Sequence, residues 1–104
     1  MLTGKQRALL RSQANGLQAV FQVGKGGLEP ELCSGVAACL AARELVKLKV
    51  LENSPLSARE AAEGLAAATG SEVVQVIGGR FVLYLQKPKD SRYGPLLQAA
   101  GRGR

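Results

Sequence analysis

Between Gln22 and Leu28 the chain reads Gln-Val-Gly-Lys-Gly-Gly-Leu, and these residues have the chemistry to hold a phosphate. An apolar run, Val20 to Val23, ends abruptly in Gly24, Lys25, Gly26 and Gly27, and Glu29-Pro30 then opens a helix-like pattern. Glycines bring bare backbone close to a ligand and accept positive φ. The first turn of the following helix adds unpaired N–H groups and a partial positive charge, both suited to an anion. Lys25 contributes a mobile full charge. The loop is not that of the nucleotide hydrolases, because no Ser or Thr follows Lys25. Nor is it the dinucleotide fingerprint: Glu29 stands where the third glycine should be, and its carboxylate would repel a pyrophosphate. What remains is a G-x-x-G loop, Gly24 to Gly27, the type with which some RNA-binding modules clamp a nucleic-acid backbone.

The charge distribution names a partner for that loop. The 104 residues carry a net charge of +6. Residues 1–28 hold Lys5, Arg7, Arg11 and Lys25 and no acid. Residues 80–104 hold Arg80, Lys87, Lys89, Arg92, Arg102 and Arg104 against Asp90 alone. Basic ends around a mildly acidic centre favour a polyanion. The absence of histidine removes the usual general base and the commonest metal ligand. Cys33 and Cys39 fall in one predicted helix, about 9 Å apart along its axis. That exceeds the ~7 Å limit for a disulfide, so they read as small core residues in a reducing compartment. No metal site is expected, since a zinc site needs more ligands than the chain offers. With 46% hydrophobic and 21% charged residues the composition is that of a globular domain with one core. No apolar run approaches the ~20 residues of a membrane span, and the first residues lack the apolar core of a signal peptide, which points to the cytoplasm.

The elements that must position the loop follow from local signals. Thr3 and Gln6 have capping-box spacing, and the helix they open runs to about Asn15. Arg7 and Arg11 are neighbours on its flank, and their mutual repulsion would be relieved by an external anion. Val20 to Val23 forms a first strand. Pro30 suits the first turn of the second helix, whose stripe is Leu32, Cys33, Val36 and Leu40 and whose end lies near Arg43-Glu44. In the strand from Leu45 to Leu51, Val46, Leu48 and Val50 point one way and Lys47 and Lys49 the other. Strand, helix and strand make a parallel βαβ unit. Ser57 and Glu60 cap an alanine-rich helix that stops at Gly70, within which Gly64 predicts close packing. Two further strands, Val73–Ile77 and Arg80–Leu85, are joined by a Gly78-Gly79 hairpin. From residue 87 onward the chain reads as a basic, flexible tail, with at most a helical fragment at Leu96-Leu97. The order is α-β-α-β-α-β-β, a single α/β domain over residues 1–86 followed by the tail at 87–104.

Three of these segments together resemble the CRM domain, typified by the bacterial YhbY family of ribosome-assembly RNA-binding proteins. They are Gln22 to Leu28, then Arg43-Glu44-Leu45-Val46-Lys47-Leu48-Lys49-Val50, then Val76-Ile77-Gly78-Gly79-Arg80 leading to Leu83-Tyr84. The opening Leu2-Thr3-Gly4-Lys5-Gln6-Arg7 is similar to the start of that family, and the likeness covers roughly residues 1–85. The resemblance implies a mixed four-stranded sheet with helices packed on it, similar to the C-terminal domain of translation initiation factor 3. It also implies association with precursor large ribosomal subunits, no enzymatic activity and no cofactor. Its loop maps to Gly24, Lys25, Gly26 and Gly27, and its basic strand to Lys47 and Lys49. This sequence departs from the family at Ala19, where many members have proline, in an extra hairpin glycine, and at Leu85, where arginine is frequent.

The aromatic residues refine the expectation. Only Phe21, Phe81, Tyr84 and Tyr93 are present, with Phe21 and Phe81 read as core, so there is no evident base-stacking platform. Recognition of RNA backbone and shape follows, with Arg7, Arg11, Lys47, Lys49 and Arg80 as docking cations and the Gly24–Gly27 loop as clamp. The expected partner is ribosomal RNA in the precursor large subunit, bound by a monomer, with no membrane and no small-molecule substrate. The alternative is a ribosome-associated adaptor whose basic face meets an acidic protein.

Overall fold

A computed structural model describes residues 2–102. The elements, in chain order, are α1 (Gly4–Ala14), β1 (Phe21–Val23), α2 (Pro30–Arg43), β2 (Leu45–Val50), α3 (Ala58–Thr69), β3 (Glu72–Ile77), β4 (Arg80–Tyr84) and α4 (Gly94–Arg102). The strands form one four-stranded sheet in the order β1-β2-β4-β3. The β1–β2 pair is parallel and the other two pairs are antiparallel, which gives the mixed sheet expected of the sequence.

Short-range signals produce the helix ends. Thr3 Oγ1 accepts from the Gln6 N–H at 3.1 Å, and Gln6 Oε1 accepts from the Thr3 N–H at 2.9 Å. Ser57 and Glu60 repeat the exchange on α3, and the bonds from Ser57 hold the Glu60 carboxyl below its ordinary pKa. Gly70 ends α3 at φ 73°, in the left-handed region that favours glycine. Gly64 is where α3 meets the chain just after the glycine loop: a Cβ there would lie 2.5 Å from Leu28 Cδ1. Close approach of Leu28 offsets the ~1 kcal/mol that glycine costs within a helix.

The sheet buries both faces, so the single expected core is two layers. On one face α2 and α3 cover Val23, Val46, Leu48, Phe81 and Leu83, with Val36, Leu40 and Leu65 from the helices. Phe81 is fully buried and Phe21 packs at its margin, as core residues should. Both cysteines are free and half-buried beside this layer. On the other face Leu45, Val74, Val82 and Tyr84 meet Leu10 and Ala14 of α1, together with Tyr93 and Leu97. A β-bulge between Val73 and Gln75 turns Val74 into this second layer.

Tyr93 and Leu97 correct the expectation of a flexible tail from residue 87. Both are buried, Tyr93 stands edge-on to Tyr84 with centroids 6.2 Å apart, and α4 packs against α1. The folded unit therefore continues to the end of α4 at Arg102, and residues 103 and 104 of the expected tail lie outside the described residues.

Candidate nucleic-acid interface

Helix α1 covers only part of its face of the sheet. It ends at Ala14, and beyond it Gln22, Lys49, Arg80 and Ile77 lie side by side in a single cross-strand row. Lys47 precedes Lys49 on the same face, opposite Val82. Lys47 and Lys49 are half-buried, Arg80 is exposed, and Ile77 is 66% exposed. A hollow of about 140 Å³ sits here, lined by Asn15, Lys47, Gln75, Ile77 and Arg80 among others. Lys49 and Arg80 are direct cross-strand partners. Like charges so placed are destabilising by a few tenths of a kcal/mol or more, and an anion between them removes that penalty.

The glycine loop leaves β1 at the same end of the sheet. The Gly27 N–H donates to the Gly24 carbonyl at 3.0 Å, and Gly27 takes φ 66°. The loop is backed by the turn after β2: Gly24 lies near Leu51 and Asn53, and the buried Gly27 near Pro55 and Leu56. That turn is itself tied by the Ser54 N–H to the Leu51 carbonyl and by Ser54 Oγ to the Leu56 backbone, all at 3.0 Å. Opposite it, the Val50 N–H donates to the Gly79 carbonyl at 2.7 Å, which draws the β3–β4 hairpin to the same edge. Lys25 is exposed at the loop tip.

Gly26 lies directly beneath an acidic side chain. A Cβ there would lie 2.4 Å from the carboxyl carbon of Glu29. Glu29 occupies the N-cap position of α2 without a side-chain capping bond, and its carboxylate instead lies over the loop. The bare backbone of Gly26 therefore admits an anionic group, and in this structure that group belongs to the chain itself.

The remaining cations predicted from sequence are elsewhere. Arg7 is half-buried, and its Nε donates to the Val73 carbonyl at 3.4 Å on the edge strand β3, on the far side of the sheet from β1. Arg11 is exposed one turn further along α1. The structure thus brings Lys47, Lys49 and Arg80 together beside the loop and gives Arg7 a structural contact.

Sequence reasoning missed Glu44. It caps α2 at φ 69°, has no accessible surface, and collects donors from the C-terminal segment. The Lys87 N–H donates at 2.9 Å and Ser91 Oγ at 2.5 Å to Oε2, and the Arg92 N–H donates at 2.5 Å to Oε1. Burial alone would raise the pKa of this carboxyl; the hydrogen bonds from Ser91, Lys87, Arg92 and Tyr93 together outweigh it and lower the pKa. Ser91 Oγ also accepts from the Gly94 N–H at 2.8 Å, at the start of α4. Pro95 after Gly94, and the four-residue spacing of Tyr93 and Leu97, were the available signals of that helix.

The geometry is that of a small α/β module with a basic, partly open sheet face and a glycine loop at its rim. Residues 2–84 match the CRS1 / YhbY (CRM) domain, and the chain belongs to that family. It is 42% identical over 92 residues to the Bacillus subtilis protein named "Probable RNA-binding protein YqeI", covering 88% of this chain and 96% of that one. It is 40% identical over 91 residues to "Probable RNA-binding protein MJ0652" of Methanocaldococcus jannaschii, covering 86% of this chain and 66% of the relative. The solution structure of the hypothetical protein SAV1595 from Staphylococcus aureus is similar at a TM-score of 0.75 and 43% identity, over 88% of this chain and 95% of that one.

Proposed function

We propose that this protein is a non-catalytic RNA-binding module that docks on ribosomal RNA in precursor large subunits. The observation that carries the reading is the Lys49–Arg80 cross-strand pair, with Lys47 beside it, on a sheet face that α1 leaves open next to the glycine loop. The names of the relatives from Bacillus and Methanocaldococcus support RNA as the partner. The large-subunit target rests on the family resemblance. A phosphate at the loop meets the N–H groups of Lys25 and Gly26 and the first turn of α2, since the Gly27 N–H is spent within the loop. The Glu29 carboxylate swings aside as the phosphate enters. Lys25 neutralises one charge, and Lys47, Lys49 and Arg80 hold the neighbouring phosphates. Such binding releases counterions and weakens steeply with salt.

The test is equilibrium binding to a labelled large-subunit ribosomal RNA transcript over a range of salt. Gly26→Asp places a second carboxylate beside Glu29 where phosphate docks, and the expected result is a loss of affinity of tenfold or more with the melting profile retained. Lys47→Ala with Lys49→Ala weakens binding and flattens the salt dependence, while the thermal midpoint stays nearly constant. A folded Gly26→Asp protein that binds as tightly as the parent reduces the loop to a turn. Binding of a partner that survives ribonuclease treatment marks a protein adaptor instead.

A further inference from the structure

A second groove lies at the opposite end of β1 from the glycine loop. It has a volume of about 310 Å³, and Leu17, Val20, Cys39 and Tyr93 contribute to its wall. Arg43, Lys47, Lys87 and Arg92 also line it. Arg43 comes from the last turn of α2 and Lys47 from β2. Lys87 and Arg92 belong to the segment beyond residue 84, outside the family match. None of the four makes an ion pair among the described residues. Arg92 lies over the Tyr93 ring, 5.7 Å from its centroid. The carboxylates of the groove are Asp90, which is exposed, and Glu44, whose oxygens are taken up by the Lys87, Ser91 and Arg92 donors. Those same bonds fix the backbone that carries Lys87 and Arg92. Lys47 lines both this groove and the hollow beside Arg80. From Val20 to Gly24 is four residues of extended chain, about 13 Å, which places the groove and the loop on one path.

We propose that this groove holds a further nucleotide of the bound RNA strand, its phosphates on Arg43, Lys47, Lys87 and Arg92 and its ribose or base against Leu17 and the 48%-exposed Val20. This inference rests on the RNA-binding reading and extends the interface onto the segment after residue 84. Apolar wall and basic rim match the two halves of a nucleotide. The volume is near the lower end of ligand sites, which run from about 300 to 1,000 Å³.

Two measurements on the full chain test it, both with the large-subunit ribosomal RNA transcript as probe. The first is the triple variant Arg43→Gln, Lys87→Gln, Arg92→Gln, in which the backbone donors to Glu44 are untouched. Each single-strand phosphate contact contributes a salt slope of about 0.7, or roughly fourfold in affinity near 0.15 M salt. Three lost contacts therefore lower affinity on the order of 50-fold and the slope by about 2. The second is alkylation of the parent protein, followed by mass spectrometry. Bound RNA slows reaction at Cys39, which lines the groove, whereas Cys33, six residues earlier in the first turn of α2, reports on the glycine loop instead. A triple variant within twofold of the parent, or equal rates at Cys39 with and without RNA, overturns the groove. In that case loss of binding in Lys47→Ala, Lys49→Ala shows that the interface around the glycine loop still stands. Failure of the parent to bind the transcript overturns both.

Discussion

Glu44→Gln tests how the C-terminal segment is held, because it changes one oxygen to an amide nitrogen and leaves volume and backbone alone. The carboxylate accepts from the Lys87 N–H, Ser91 Oγ and the Arg92 N–H. A hydrogen bond to a charged acceptor contributes about 1.5–3 kcal/mol. Glutamine keeps one carbonyl oxygen but turns an NH₂ group towards donors on the other side, so one or two of these bonds are lost. The expected cost is about 3 kcal/mol, with a ceiling set by the free energy with which residues beyond 86 dock on α1 and the sheet. At about 4–8 °C per kcal/mol for a domain of this size, the midpoint falls by roughly 12–24 °C. The positive φ of Glu44 is common to both proteins and cancels. The pH dependence follows from the lowered pKa of this carboxyl. A depressed folded-state pKa contributes stability above the unfolded value of 4.5, and that stability is lost as pH falls through the folded value. The gap between parent and variant is therefore constant from neutral pH down to about 5 and closes in acid. Thermal melts followed by circular dichroism at a series of pH values measure both effects. A variant that melts within 2 °C of the parent near pH 7, or a gap that persists unchanged in acid, refutes the carboxylate as the latch.

Three further outcomes concern the C-terminal helix and the glycine loop. Leu97→Ala empties a buried position in the layer shared with Leu10 and Tyr84, and the expected loss is about 2–5 kcal/mol in chemical denaturation; by the same contacts, deletion from residue 87 onward destabilises the domain rather than trimming it. Glu29→Gln removes the carboxylate that lies over Gly26, and the expected result is tighter RNA binding in a fluorescence titration, whereas unchanged affinity means that this carboxylate does not compete with phosphate.

The parts of this structure that were legible in sequence are those specified within a few residues. The capping boxes Thr3–Gln6 and Ser57–Glu60, the Gly70 stop and the Gly78-Gly79 hairpin need only local geometry, and each is present. The alternation from Val46 to Val50 likewise placed Lys47 and Lys49 on the face opposite the α2–α3 layer. Contacts across long sequence separations were not legible. Leu45 and Val82 share a face with the lysines, yet they are buried, because α1 lies across that end of the sheet. The signals for α4 were present at Gly94-Pro95, but its stability depends on Tyr93 and Leu97 meeting Leu10 and Tyr84. Glu44 resembles any charged helix end until the segment 43 to 48 residues later supplies its donors. Arg7 similarly reads as a free cation until β3 presents the Val73 carbonyl.

Docking of RNA on the open end of the sheet and in the glycine loop is read out residue by residue by amide chemical-shift mapping. ¹⁵N-labelled protein is titrated with a large-subunit ribosomal RNA fragment, and shifts are followed residue by residue. The largest changes are expected at Gly24 to Gly27, at Lys47 to Lys49 and at Gly79-Arg80, with the exposed face of α3 around Arg59 and Glu63 unchanged. Shifts concentrated on α3, with the glycine loop and the Lys49–Arg80 pair silent, would contradict it.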